Sequence, residues 1–235
     1  MKILANFDRK RLLPSAAALL LGLTLSACGP APDGPPQRIV KGLPWQINSF
    51  EDGSSEVFGL RLGHTTLAEA LEIIAKDSES AIVIDQQNHA SLESYISHYK
   101  AGPLQGRLIL VADIPASQLQ QMIQNLEHGD YMASGARKLL PTDADWEIAL
   151  QAPIASISFI PAINLDEDII VNRFGQAATQ LQSEEVDHFL YPDKGLDIAL
   201  SEDGKEVLQY IAPRQFHKLS QPLLNNPRYQ LADNK

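Results

Sequence analysis

The sequence predicts an α+β protein made of two tandem modules, each an antiparallel sheet with helices packed on one face. Three observations lead there. The length of 235 residues allows one large domain or two of roughly 100 residues each. Apolar runs of helical spacing and short strand-like runs follow one another as helix, strands, helix, and then do so again. Landmark residues also recur at an offset of 98: Thr66 with Asn164, Leu110 with Leu208, and Pro115 with Pro213.

The chain opens on Lys2, Arg9, Lys10 and Arg11, followed by an apolar stretch from Leu12 to Leu25. This is the shape of a secretory signal, and the stretch is shorter than the roughly 20 apolar residues a membrane-crossing helix requires. Leu25-Ser26-Ala27-Cys28 ends it and resembles the lipobox of bacterial lipoproteins. That resemblance implies cleavage after residue 27 and acylation of Cys28, the single cysteine of the chain. Two or three acyl chains hold a protein on a bilayer almost permanently, at about 0.8 kcal/mol for each buried methylene. Gly29 stands where an aspartate would resemble the inner-membrane retention signal, so the resemblance points to the outer membrane, facing the periplasm. Loss of residues 1–27 removes those four cations and one acid, Asp8, and moves the formal charge from −10 to −13. Membrane attachment is therefore expected through lipid rather than through a basic face.

Residues 28–41, with the run GPAPDGPPQ, read as an extended tether. The first module is expected over 42–130. Trp45, Ile47 and Phe50, then Val57, Phe58, Leu60 and Leu62, read as two strands about the turn Asp52-Gly53. Thr66 and Glu69 have the spacing of a capping box and open a helix expected to stop near Asp77. Strands are expected at 81–84, 92–96 and 108–111. Pro115 opens a second helix with Leu119, Met122, Ile123 and Leu126 on one face and Gly129 beyond its end.

Residues 131–144, with Pro141-Thr142-Asp143-Ala144, read as a linker. The second module is expected over 145–222. Ile157 and Phe159 mark a strand, and Asn164 with Glu167 opens a helix that ends at Phe174-Gly175. Strands follow at 186–191, 196–200 and 207–211, turning at Pro192-Asp193-Lys194-Gly195 and at Glu202-Asp203-Gly204. Pro213 introduces a short helix with Phe216 and Leu219, and 223–235 is a tail.

The order from Phe174-Gly175 through Phe189, Tyr191, Gly195, Gly204 and Val207 is similar to the small outer-membrane lipoproteins of the BamE family and to the β-lactamase-inhibitor-protein fold. The resemblance implies helices on one face of an antiparallel sheet and a role in envelope assembly or maintenance. Val57 to Gly63, V-F-G-L-x-L-G, also resembles uncharacterised proteobacterial lipoproteins and implies no activity.

A one-sided sheet leaves its other face open to partners. Alternation places Asp187, Phe189 and Tyr191 on one side of their strand and Val186, His188 and Leu190 on the other. Phe189, Tyr191 and Tyr210 form the candidate partner-binding patch, competing with the reading that they complete a core.

Catalytic constellations are absent from the pattern. No G-x-S-x-G occurs, and the six histidines form neither H-x-H nor H-E-x-x-H, so no metal site and no cofactor are expected. Asp187 and His188 point to opposite faces as strand neighbours, which excludes a dyad. Asp166-Glu167-Asp168 reads as a helix first turn. The acidic balance excludes nucleic acid. The expectation is a non-enzymatic, lipid-anchored envelope protein that binds an envelope protein. The alternative is an enzyme or small-ligand carrier with a site between the modules near His188 or Arg173.

Overall fold

The computed structural model describes residues 40–74, 78–124, 126, 129–201, 204 and 206–232. Cys28, the signal segment, most of the tether and the expected helix stop at Asp77 lie outside them. A three-stranded hairpin sheet comes first: β1 (Asn48–Ser49), β2 (Ser55–Val57) and β3 (Leu60–Arg61). Then come α1 (Leu67–Ile74), β4 (Glu79–Ile84), β5 (Ala90–Ala101), β6 (Leu104–Ala112), α2 (Ala116–Gln124), β7 (Asp130–Tyr131) and β8 (Arg137–Leu139). The second half carries α3 (Asp143–Gln151), β9 (Ile154–Pro161), α4 (Glu167–Phe174), β10 (Thr179–Gln182), β11 (Val186–Tyr191), β12 (Leu196–Ser201), β13 (Val207–Ile211), α5 (His217–Leu224) and β14 (Gln230–Leu231).

The fold is α+β with antiparallel sheets, and the two halves share one of them. Its eleven strands run in the order β14-β10-β11-β12-β13-β9-β6-β5-β4-β8-β7. The join is β9, which pairs antiparallel with β6 through Leu108↔Phe159 and with β13 through Leu208↔Phe159. Strand β8 comes from the expected linker and pairs with β4, and β14 comes from the expected tail and pairs with β10.

Cross-strand partners share a face. Leu110, Ile157, Tyr210, Leu196 and Tyr191 form one row across five strands, and Leu108, Phe159, Leu208, Ile198 and Phe189 form the next. Leu67 and Ala70 of α1, Leu119 and Met122 of α2, Ala149 of α3, and Ile170 and Phe174 of α4 pack into the core on this face. The fifth helix is the exception. It sits on the opposite face, where Leu219 and Leu223 join Phe216 over Leu181, Leu190 and Ile211. That cover reaches β10, β11 and β13.

Local signals explain most element ends. Thr66 and Glu69 make the expected reciprocal cap: the Thr66 N–H donates to Glu69 Oε2 at 2.9 Å, and the Glu69 N–H to Thr66 Oγ1 at 3.3 Å. In the second half Asp166 caps α4, accepting from the Ile169 N–H at 2.7 Å, so the cap lies two residues beyond the one expected at Asn164. Thr142 accepts from the Asp145 N–H at 3.2 Å and opens α3 where a linker was expected.

The strand expected over Val57 to Leu62 is instead a tight hairpin. Val57 pairs with Leu60, so the turn consists of Phe58 and Gly59, at φ 58° and 80°. Both angles are positive, as a two-residue turn matched to strand twist requires. A bulky residue pays roughly 1–2 kcal/mol for that conformation. Phe58 offsets it through its ring, which is buried against Tyr99, Phe159 and Tyr210 with centroids at 5.4, 5.5 and 5.5 Å. The hairpin is thus pinned onto the main sheet by the aromatic residue that its own backbone disfavours.

Candidate functional site

Phe189, Tyr191 and Tyr210 do share a face, and it is the covered one. They are 2%, 4% and 1% exposed, so the expected partner-binding patch is part of the core. Strand alternation fixes which side chains lie together; the segment 43–47 and α4, which arrive from elsewhere in the chain, decide that this side is buried. The Tyr210 hydroxyl donates to the Pro44 carbonyl at 3.0 Å, and the Tyr191 hydroxyl to the Gly175 carbonyl at 2.9 Å. Burial pushes the Tyr191 phenol up to about 12 and Tyr210 well above its ordinary value. Lys194 reaches the Phe174 carbonyl and stands 5.0 Å from the Tyr191 ring, so a cation meets the C-terminal end of α4.

On the other face a polar chain is buried beneath the α5 cover. His188 Nδ1 lies 3.0 Å from both carboxylate oxygens of Asp197, and Nε2 lies 3.2 Å from the Tyr229 hydroxyl. The Asp197 carboxylate only accepts, so Nδ1 donates to it, while Nε2 is paired with the Tyr229 hydroxyl. The side chains of His188 and Asp197 are 9% and 1% exposed. The carboxylate–imidazole arrangement is that of an oriented general base, but its reactive nitrogen is already occupied by Tyr229. Asp187, the sequence neighbour of His188, takes no part in it.

A second cluster sits on the β1–β2 turn. Asp52 Oδ1 accepts from the Ser54 hydroxyl at 2.6 Å and the Ser54 N–H at 3.0 Å, while Oδ2 meets Arg61 Nη2 at 3.0 Å and His64 Nε2 at 2.9 Å. Those bonds, Ser54 first, hold the Asp52 carboxyl well below the usual carboxylate range. Serine, histidine and aspartate all occur here in the wrong order for nucleophilic catalysis: the carboxylate is central, and the hydroxyl donates to it rather than to the imidazole. The cluster braces a turn. Arg214 ties that turn to the segment before α5, its N–H donating to the Gly53 carbonyl at 3.0 Å.

Among the described residues two surfaces remain open. On the half of the sheet that α5 does not reach, Val83, Tyr95, Ile109, Val111 and Ile160 share a face and are half-buried. Ser156, Ser158 and Glu93 are interspersed with them. At the β10–β14 edge lies a broad cavity of about 1060 Å³ among Gln180, Gln182, Glu184, Glu185 and Arg228. His188 does not line it. Arg173, the other residue expected near a site, stacks on the Trp45 ring at 4.8 Å and borders a small apolar crevice.

Among the described residues no group of three or more His, Cys, Asp or Glu side chains is placed to hold a metal, and no helix is long and apolar enough to cross a membrane. Comparison with protein-family models, curated proteins and solved structures gives no match to this chain.

Proposed function

We propose that the chain is a lipid-anchored protein of the bacterial envelope, facing the periplasm, that binds a partner protein and catalyses no reaction. The observation that carries this reading is Leu25-Ser26-Ala27-Cys28, placed directly after a basic start and an apolar stretch, with the only cysteine of the chain at the acylated position. The Pro- and Gly-rich run that follows suits a tether between bilayer and folded domain. The uncovered half of the large sheet supports the binding role. It presents Tyr95, Ile109 and Val111 with small polar residues between them, a mixture that suits a recognition surface which must also stay soluble. The oriented Asp197–His188 pair lends little to an enzymatic reading, because Tyr229 fills the nitrogen that would act as base.

Metabolic labelling with palmitate tests the anchor. Wild-type protein takes up label and Cys28→Ala takes up none; equal labelling of the two overturns the anchor. Photo-crosslinking in cells from Tyr95 and Ile109 tests the binding role, with a discrete protein adduct as the expected result.

A further inference from the structure

We infer that the end of the domain carrying Val40, Trp45, Ile163 and Ile169 rests on a zwitterionic lipid surface, an inference that depends on the lipid anchor proposed above. The described chain begins at this end. Val40 packs on the β5–β6 turn, where a Cβ added to Gly102 would stand 2.1 Å from Val40 Cγ1. Pro161 pairs with Gly106 beside the same turn, and the chain then runs through Ile163 into α4. Twelve residue steps separate Cys28 from Val40. At no more than about 3.3–3.6 Å per residue, the anchor holds this end within roughly 40 Å of the membrane, closer than any other part of the domain is required to be.

The surface presented there is apolar. Val40, Ile163 and Ile169 are 38%, 46% and 36% exposed. Ile163 and Ile169 border the crevice formed with Pro44, Trp45, Leu104 and Pro161, whose one charged wall is Arg173. Trp45 is half-buried, packs edge-on against Phe174, and carries the Arg173 guanidinium over its ring. An indole beside a guanidinium suits the headgroup depth of a bilayer, where the ring meets acyl chains and the cation meets phosphate.

Charge decides the lipid class. Asp166, Glu167 and Asp168 directly precede Ile169, and the formal charge of the chain from Cys28 onward is −13. Anionic headgroups would repel this end, while zwitterionic ones offer phosphate to Arg173 and Lys41 without a net negative surface.

The test uses the full acylated chain reconstituted in phosphatidylethanolamine–phosphatidylcholine vesicles. With Cys28 acylated, a new thiol is the only one free to react, so Ile163→Cys, Ile169→Cys and, as control, Tyr131→Cys are labelled with an environment-sensitive dye. All three positions are exposed. The inference predicts blue-shifted emission quenched by brominated lipid at 163 and 169, aqueous emission at 131, and loss of the quenching as anionic lipid is added. Aqueous emission at 163 and 169 in protein that sediments with the vesicles overturns the contact and leaves the anchor standing. Equal quenching at all three positions, or a protein adduct from a photo-crosslinker at 163 in cells, also overturns it. Dye uptake by wild-type Cys28 with failure to sediment overturns the anchor and this inference together.

Discussion

Asp197 has one imidazole as partner at 1% side-chain exposure, and that sets what single substitutions there do. Replacing His188 alone strands a carboxylate on a buried sheet face, which costs about 3–5 kcal/mol; replacing both residues with leucine removes the charge together with its need for a partner. The expected outcome is a large loss of stability for His188→Leu and a much smaller one for His188→Leu/Asp197→Leu, read from urea midpoints. A double variant as unstable as the sum of the singles would show that the pair is not coupled. Sequence neighbours could not reveal this pair. His188 and Asp197 lie on adjacent strands nine residues apart and meet diagonally, so the signal resides in the β11–β12 register and not in any local spacing. Phe58 was opaque for a related reason. Its apolar character fitted a strand, while the turn it occupies is set by Gly59 and by three rings from β5, β9 and β13.

At the scale of elements, the legible ones carried their own chemistry. Helices α1 and α2 announced themselves through a reciprocal cap, a leading proline and a regular apolar face, and β11 to β13 through apolar runs between turn residues. The missed ones borrow theirs. Strands β7, β8, β10 and β14 are two to four residues long and mostly polar, and exist because a longer neighbour supplies half of each ladder. In α3 the cap Thr142 with Asp145 was readable, but apolar residues do not recur on one face, and the preceding proline gave the segment the look of a linker. The misplaced cap of α4 is testable. Asp166→Ala is expected to cost about 1 kcal/mol, typical of a lost helix cap, and Asn164→Ala less, in urea unfolding followed by circular dichroism. The reverse order would restore Asn164 as the cap.

Across the whole molecule, the offset of 98 relates Leu110 to Leu208 and Pro115 to Pro213 in sequence, while the helix caps fall at 66 and 166 and the helices after the two prolines lie on opposite faces of the sheet. What the repeat did not disclose is that β9 joins the halves, since one strand edge-paired on both sides leaves no mark in sequence periodicity. Buried and hydrogen-bonded ionisable groups in this shared structure bound its stability on both sides of neutrality. Burial raises Tyr99, Tyr191 and Tyr210 above their ordinary 10.0. The unfolded chain therefore releases those protons first, and stability present below pH 10 is lost as pH rises toward the folded value of about 12 for Tyr191. Hydrogen bonds lower Asp52, Glu69 and Asp85 from 3.8, 4.5 and 3.8, so their stabilisation is present above those values and lost as pH falls below them. Urea midpoints measured against pH are expected to show a plateau between the two windows, with Tyr191→Phe flattening the alkaline limb. A steady alkaline decline unaffected by that substitution would assign the loss to other groups.

Among the described residues the large sheet closes on neither side, yet both of its margins are two-residue strands, Asp130–Tyr131 and Gln230–Leu231. An open sheet grows by templating, each bare backbone row recruiting another chain, and the length of that row sets how many hydrogen bonds a recruit can make. Rows this short offer a second molecule too few bonds to compensate for its lost freedom. Eleven strands can therefore stand side by side without becoming the seed of a fibre, even where many copies crowd together.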